Sequence, residues 1–206
     1  MKDLGIVGVI GRFKPLHHGG ATMLEILCER ANHVIIGIGS SNKYNLRNPF
    51  TPEETKGMLN AFLSKRFSNY SITYIPDFAH IPEYRNGKKW KECILEHYGE
   101  LDYFITSNEY VAELLSDSYN IIHPACLIPA ERYIMLKSSE VRMEMAKHGN
   151  WKSLVPEEVS NYLEENKLVR RFREEFGFET LATLRENANY KNPESMIEEK
   201  LHAREI

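Results

Sequence analysis

Leu4-Gly-Ile-Val-Gly-Val-Ile-Gly-Arg-Phe-Lys-Pro-Leu-His-His-Gly-Gly20 carries the pattern on which the architecture turns. Its apolar part, Leu4 to Ile10, is short and β-branched, as a strand buried on both faces of a parallel sheet should be. The run breaks at Gly11, turns through Pro15, and gives way to helical spacing at Ala21, Met23, Leu24, Ile26 and Leu27. Between strand and helix stand Arg12, Lys14, His17 and His18, followed by Gly19 and Gly20. A turn of this type aims free backbone N–H groups and the positive end of a helix at one point, which suits a phosphate. The added cations favour a polyphosphate over a single carboxylate.

The helix is expected to end near Arg30, and His33-Val-Ile-Ile-Gly-Ile-Gly39 reads as a second buried strand. Strand, helix and strand with a crossover of this length form a βαβ unit, which implies a parallel sheet. Gly37 to Asn42 holds two glycines of a dinucleotide fingerprint, but the third is missing and no helix opens there, so that reading is set aside. Ser40 to Phe50 is a polar loop with Lys43 and Arg47. Thr51-Pro-Glu-Glu54 opens the next helix: Thr51 can cap, Pro52 suits the first position, and Glu54 completes a capping box. Met58, Leu59, Phe62 and Leu63 form its apolar side.

Ser71 to Pro76 is a third strand, Asp77 to Gly87 is irregular, and Lys88 to Tyr98 is a helix with Trp90, Ile94 and Leu95 toward the core. Leu101 to Ser107 is a fourth strand, with Asn108 as N-cap of a helix from Glu109 to Leu115. A short strand at Ile121 to His123 precedes a Pro-containing loop to Leu136. The next helix runs to about Lys147; Ser138 or Ser139 can cap it, and Glu140 lies where the dipole favours an anion. Arg142 follows Ser139 by three residues on nearly the same face. Helices over Glu157 to Glu165 and Leu168 to Phe176 complete the ordered pattern. Thr180 to Ile206, interrupted by Asn192-Pro193, reads as a tail or as a helix packing on a partner.

These elements predict an α/β fold: a Rossmann-like parallel sheet with helices on both faces, plus a C-terminal helical extension. A main domain over residues 1–166 and an extension or tail over 167–206 account for the 206 residues. The 42% apolar content supports a substantial core, and 27% charge is ordinary for a soluble protein. A net charge of −3 gives no general basic field, so bulk nucleic-acid affinity is not expected. Cys28, Cys93 and Cys126 lie far apart without a CxxC, so neither a zinc site nor a disulfide framework is expected. The first residues lack a signal-peptide core, and no apolar run approaches the ~20 residues of a membrane span. A cytoplasmic protein is expected.

Gly11-Arg12-Phe13-Lys14-Pro15-Leu16-His17-His18-Gly19-Gly20 resembles the Gly-Arg-Phe-x-Pro-x-His-x-Gly-His signature of the HxGH nucleotidyltransferases, with the nearest likeness to the archaeal-type nicotinamide mononucleotide (NMN) adenylyltransferases. Asn48-Pro49-Phe50-Thr51 resembles the family's loop after the second strand, and Arg47 matches a basic residue that reaches the triphosphate. Thr106-Ser107-Asn108 resembles its Ser-Gly-Asn. Lys137, Ser139, Val141 and Arg142 stand where a second signature, Ser-x-Thr-x-Ile-Arg, is expected. The likeness continues through Asn150 to Pro156 and covers roughly residues 4–166. Two positions in the first signature depart: Gly20 replaces the second histidine, and Lys14 replaces a glutamine.

The resemblance implies transfer of a nucleotidyl group from ATP to the phosphate of NMN, forming NAD and pyrophosphate. It implies Mg²⁺ travelling with the triphosphate and no metal-ligating residues in the chain. On this basis His17 and the backbone around Gly11, Arg12, Phe13 and Gly19 are assigned to the α- and β-phosphates. Arg47, Arg142 and the helix start at Ser139, Glu140 and Val141 are assigned to the β- and γ-phosphates. Trp90, Thr106 and Asn108 are assigned to the acceptor; helical spacing alone would make Trp90 a core residue, and the resemblance sets the stacking role beside that reading. Lys14, with His17 and Arg142, is expected to act in the transfer by restoring the charge missing at position 20. The family's membership further implies a homo-oligomer. A cytidylyltransferase or another acceptor on the same fold, and a nucleotide-binding regulator with little transferase activity, are the alternatives.

Overall fold

The computed structural model describes residues 2–183. Five parallel strands form one sheet: β1 (Ile6–Gly11), β2 (His33–Gly39), β3 (Tyr70–Ile75), β4 (Tyr103–Ile105) and β5 (Ile121–Ile122), in the order β3-β2-β1-β4-β5. The order reverses between β1 and β4, opening a crevice at the carboxyl edge of the sheet, where open α/β sheets bind ligands. Helices α1 (His18–Arg30), α2 (Pro52–Leu63), α3 (Lys88–Tyr98), α4 (Glu109–Leu115), α5 (Ser138–Ala146), α6 (Glu157–Glu165) and α7 (Leu168–Phe172) accompany it.

Alternation along the strands divides the core. Val7, Val9, Val34, Ile36, Ile38 and Ile105 face a large cluster shared with α1, α2, α5, α6 and α7. Phe104 and Ile75 face a smaller one with Ile94, Tyr98, Leu115 and Tyr119. On that second face Gly8 and Gly37 leave room for Tyr98, whose hydroxyl donates to the Val9 carbonyl at 2.9 Å; a Cβ at Gly8 would lie 2.7 Å from the Tyr98 ring. The sheet therefore carries helices on both faces, as expected. Among the described residues no helix is long and apolar enough to cross a membrane.

The capping box of α2 forms as read: Thr51 Oγ1 accepts from Glu54 N, and the Glu54 carboxylate accepts from Thr51 N at 2.9 Å. Three local expectations are corrected. On α3 the core receives Cys93 and Ile94, whereas Leu95 is exposed, because a straight 3.6-residue turn carries Leu95 past the sheet. Neither Ser138 nor Ser139 caps α5; the Glu140 carboxylate instead accepts the Lys137 N–H at 2.9 Å, leaving the Ser138 hydroxyl to donate to Pro15 O at 3.0 Å. α1 starts three residues before Ala21, capped by a histidine.

The segment after Lys167 packs into the main body. Leu168, Val169 and Phe172 of α7 are buried in the large cluster, and a π-helical turn (Arg173–Gly177) follows. Residue 166 is thus not the edge of the core. The expectation for the last stretch falls largely on residues 184–206, outside the described residues.

Candidate active site

Three segments that are distant in sequence meet at the carboxyl edge of β1. The turn from Arg12 to His17 leads into α1, and His17 Nδ1 accepts the Gly20 N–H at 3.2 Å, so the histidine is the N-cap. That bond assigns the imidazole proton to Nε2. Burial, more than any neighbouring charge, lowers the His17 pKa to about 4, with Glu140 opposing; the ring is a neutral N–H donor at pH 7. The amides of His18 and Gly19 remain unpaired among the described residues, at the positive end of the helix.

The start of α5 docks directly on this turn. Arg142 donates to the Lys14 carbonyl at 2.8 Å, beside the Ser138–Pro15 bond. Arg12, Arg47 and Arg142 then lie close enough for like charge to depress the protonation of Arg12 and Arg142. Arg142 falls to about 10, through burial first and then the Arg12 and Arg47 charges; Arg12 is lowered by burial and Arg47, with Asp77 opposing. None of the three forms an ion pair among the described residues. Like charges gathered without a counter-ion raise the free energy of the empty site, and a polyanion relieves it.

These segments bound a cavity of about 900 Å³. Gly11, Arg12, Phe13, His17, Gly19, Arg47, Ser139 and Arg142 line one side, and Trp90, Thr106 and Asn108 the other. Trp90 is half-buried against the smaller core cluster and also borders the cavity. Asn108 Oδ1 accepts from Val111 N at 3.2 Å as the cap of α4, and its amide nitrogen forms no hydrogen bond among the described residues.

Three assigned residues are absent from the lining. Lys14 is fully buried beneath the turn, where Nζ donates to the Ser40 carbonyl at 3.3 Å, and it follows Phe13 in the left-handed region (φ +51°). Burial, then the Arg12 charge, lowers its pKa to about 8. It does not face the space left by the absent imidazole. The Glu140 carboxylate is engaged at the start of α5, and Val141 is core.

Other residues border the cavity without having been anticipated, among them Ser40, Asp77, Tyr110, His123 and Arg132. Arg132 pairs with Glu25 and Glu29 of α1 at 2.8 and 3.2 Å, holding the 123–136 loop over the turn. Gly19 is needed there: a Cβ would stand 2.6 Å from the Ile134 carbonyl. Position 20 is roomier, since a Cβ would come no closer than 3.3 Å to Leu16 Cδ1 and 3.8 Å to the His17 ring. A lone arginine in an irregular loop gives no periodic signal, and its helix partners emerge only in three dimensions.

Residues 9–144 match the cytidylyltransferase-like family. The nicotinamide-nucleotide adenylyltransferase of Thermococcus onnurineus is 31% identical over 166 residues, spanning 80% of this chain and 84% of that one. The enzyme of the same name from Methanococcus maripaludis is 31% identical over 169 residues, spanning 80% of this chain and 92% of its own. Among solved structures, a bifunctional NMN adenylyltransferase/ADP ribose pyrophosphatase from Francisella tularensis superposes with a TM-score of 0.65 at 16% identity. The alignment covers 93% of this chain and 58% of that one, so this chain spans little more than half of its length; the likeness is one of fold.

Proposed function

The chain belongs to the cytidylyltransferase-like family of nucleotidyltransferases, and from that premise we propose that it transfers the adenylyl group of ATP to the phosphate of NMN, forming NAD and pyrophosphate. The observation that carries the proposal is the meeting of the β1–α1 turn with the start of α5, which gathers Arg12, Arg47 and Arg142 around the end of α1. The archaeal relatives with that activity support the choice of acceptor.

The NMN phosphate oxygen attacks the α-phosphorus of ATP, and the bond from that phosphorus to the β-phosphate oxygen breaks. The nucleophile is already ionised at pH 7, so no general base is required. The chain's task is to align the two phosphates in line and to neutralise charge building on the oxygens. His17 Nε2–H and the amides of His18 and Gly19 are suited to the α- and β-phosphates. Arg47 and Arg142, with Ser139 beside them, are suited to the β- and γ-phosphates and the departing pyrophosphate. Trp90, Thr106 and Asn108 face the acceptor from the opposite wall.

Guanidiniums and amides bind phosphate oxygens but cannot ligate a cation. The donor set on that side therefore fits Mg²⁺ carried by the triphosphate itself rather than held by the protein. A homo-oligomer acting in the cytoplasm belongs to the same proposal, on the strength of the family likeness and the composition; light scattering tests the former.

Pyrophosphate release with ATP or CTP against NMN, nicotinate mononucleotide and phosphorylated alcohols tests the reading. Turnover with ATP and NMN above every other pair is expected. Gly20 gives one competing reading substance, a nucleotide-binding regulator. ATP binding without pyrophosphate release on any acceptor would establish that reading instead.

A further inference from the structure

The loop that carries Arg47 is held from outside the active site. Among the described residues, its own bonds between Tyr44 and Pro49 are short-range: Asn45 Oδ1 accepts from Arg47 N, Asn48 N and Asn48 Nδ2 at 3.0 to 3.1 Å, and the Asn45 and Asn48 backbones pair. Its two ends rest on the segment after α6. Arg171 grips the Glu54 carboxylate with two nitrogens, one at 2.7 Å, and reaches the Pro49 carbonyl at 3.2 Å. The same guanidinium lies over the Tyr44 ring, 5.8 Å from its centroid. The Tyr44 hydroxyl donates to Glu175, and its ring meets Phe176 edge-on at 5.5 Å. Phe172 packs against Phe50 at 6.2 Å, just beyond Pro49.

One side chain therefore bridges the entry and the exit of a loop whose central residue faces the triphosphate side of the cavity. Glu54 is a second link, because the carboxylate that Arg171 grips also accepts the Thr51 N–H that starts α2. Arg47 is exposed and forms no ion pair among the described residues, so its own side chain gives the loop no anchor. Fixing the loop backbone before the ligand arrives reduces the ordering cost that binding would otherwise carry.

We infer that Arg171 is a positioning residue for nucleotide transfer: from outside the cavity it clamps both ends of the 44–49 loop and presents Arg47 to the triphosphate. The inference rests on reading Arg47 as a triphosphate ligand. It gives the C-terminal segment a part in ATP recognition although that segment touches no reacting atom.

The test uses the full chain and pyrophosphate release, comparing Arg171→Ala, Arg171→Lys, Arg47→Ala and the Arg47→Ala/Arg171→Ala double variant. Arg171→Ala is expected to raise the KM for MgATP by about 5- to 20-fold, with kcat and the KM for NMN within about twofold. Arg171→Lys should recover only part of this, because an ammonium cannot bridge a carboxylate in two-point fashion. In the double variant the KM for MgATP should barely exceed that of Arg47→Ala, since both changes remove one interaction. An unchanged KM for MgATP in Arg171→Ala, alongside a raised one in Arg47→Ala, overturns the inference and leaves the site intact. Multiplying effects, or equal rises for ATP and NMN, reduce Arg171 to general scaffolding and also overturn it. No effect of Arg47→Ala overturns both the site reading and the inference. If Arg171→Ala does not fold, Tyr44→Ala takes its place: a smaller rise in the KM for MgATP is expected, and a KM equal to the parent's overturns the inference.

Discussion

The two walls of the cavity are built on different principles. The phosphate wall is made of short turns fastened to the body: His17 caps α1, Arg142 and Ser138 bond to the Lys14–Pro15 backbone, and Arg171 clamps the Arg47 loop. The wall proposed for the acceptor rests on Trp90 of α3 and on Thr106 and Asn108 between β4 and α4, and it adjoins the irregular passage from Asp77 to Gly87. That passage is held by the paired Asn42–Asp77 bonds (2.7 and 2.9 Å) and the Lys43–His80 contact at 2.7 Å. A triphosphate is the same highly charged group in every nucleotide donor, and holding it in one alignment rewards a rigid cradle. An acceptor varies, and loops accommodate variation.

If rigid charge is what the phosphate wall supplies, removing it should have the greatest effect. Arg142→Ala is expected to lower kcat/KM for ATP by about 10²–10³-fold while leaving the fold intact, as judged by circular dichroism. The position-20 gap tests the same wall in the opposite direction. A Cβ at position 20 asks for only a slight shift of Leu16, and Gly20→His should raise kcat by about tenfold by adding a donor. No gain in steady-state turnover would mean that the wall is already saturated with donors.

The acceptor wall should answer differently. Trp90→Ala should raise the KM for NMN by about 5- to 10-fold through lost stacking, and leave the KM for ATP within twofold. Equal loss for both substrates would erase the distinction between the walls.

Lys14 gives the smallest effect, and it concerns stability. Its folded-state pKa of about 8 lies below its ordinary 10.5, so above pH 8 the unfolded chain holds more of this proton. The resulting penalty is fully present below pH 8 and is lost as the pH rises toward 10.5. Lys14→Gln should therefore stabilise the protein at pH 7 by about 1–2 kcal/mol and flatten the rise in Tm between pH 8 and 10, with little change in turnover. A large kinetic loss with unchanged stability would return Lys14 to the chemistry.

Local signals carried most of the reading. The capping box at Thr51 and the Asn108 cap operate within four residues and form as read, and the strand-turn-helix order around Gly11 and Pro15 holds although α1 starts earlier than expected. Eleven assigned residues border the cavity because the family signatures report backbone shape as well as chemistry. Lys14, Glu140 and Val141 do not, since spacing along the chain says nothing of whether a side chain leaves a turn inward or outward.

The amino-acid order alone determined the alternation of strands and helices, the parallel sheet and the presence of two signatures resembling those of the nucleotidyltransferases. Periodicity and caps are properties of neighbours along the chain. Only the folded structure decided that the amine of Lys14 lies in the interior, that Arg132 ties its loop to α1, and that Arg171 reaches back to Glu54. Each of these depends on which surfaces meet when helices pack on a twisted sheet, and contacts between residues about a hundred positions apart leave no local trace.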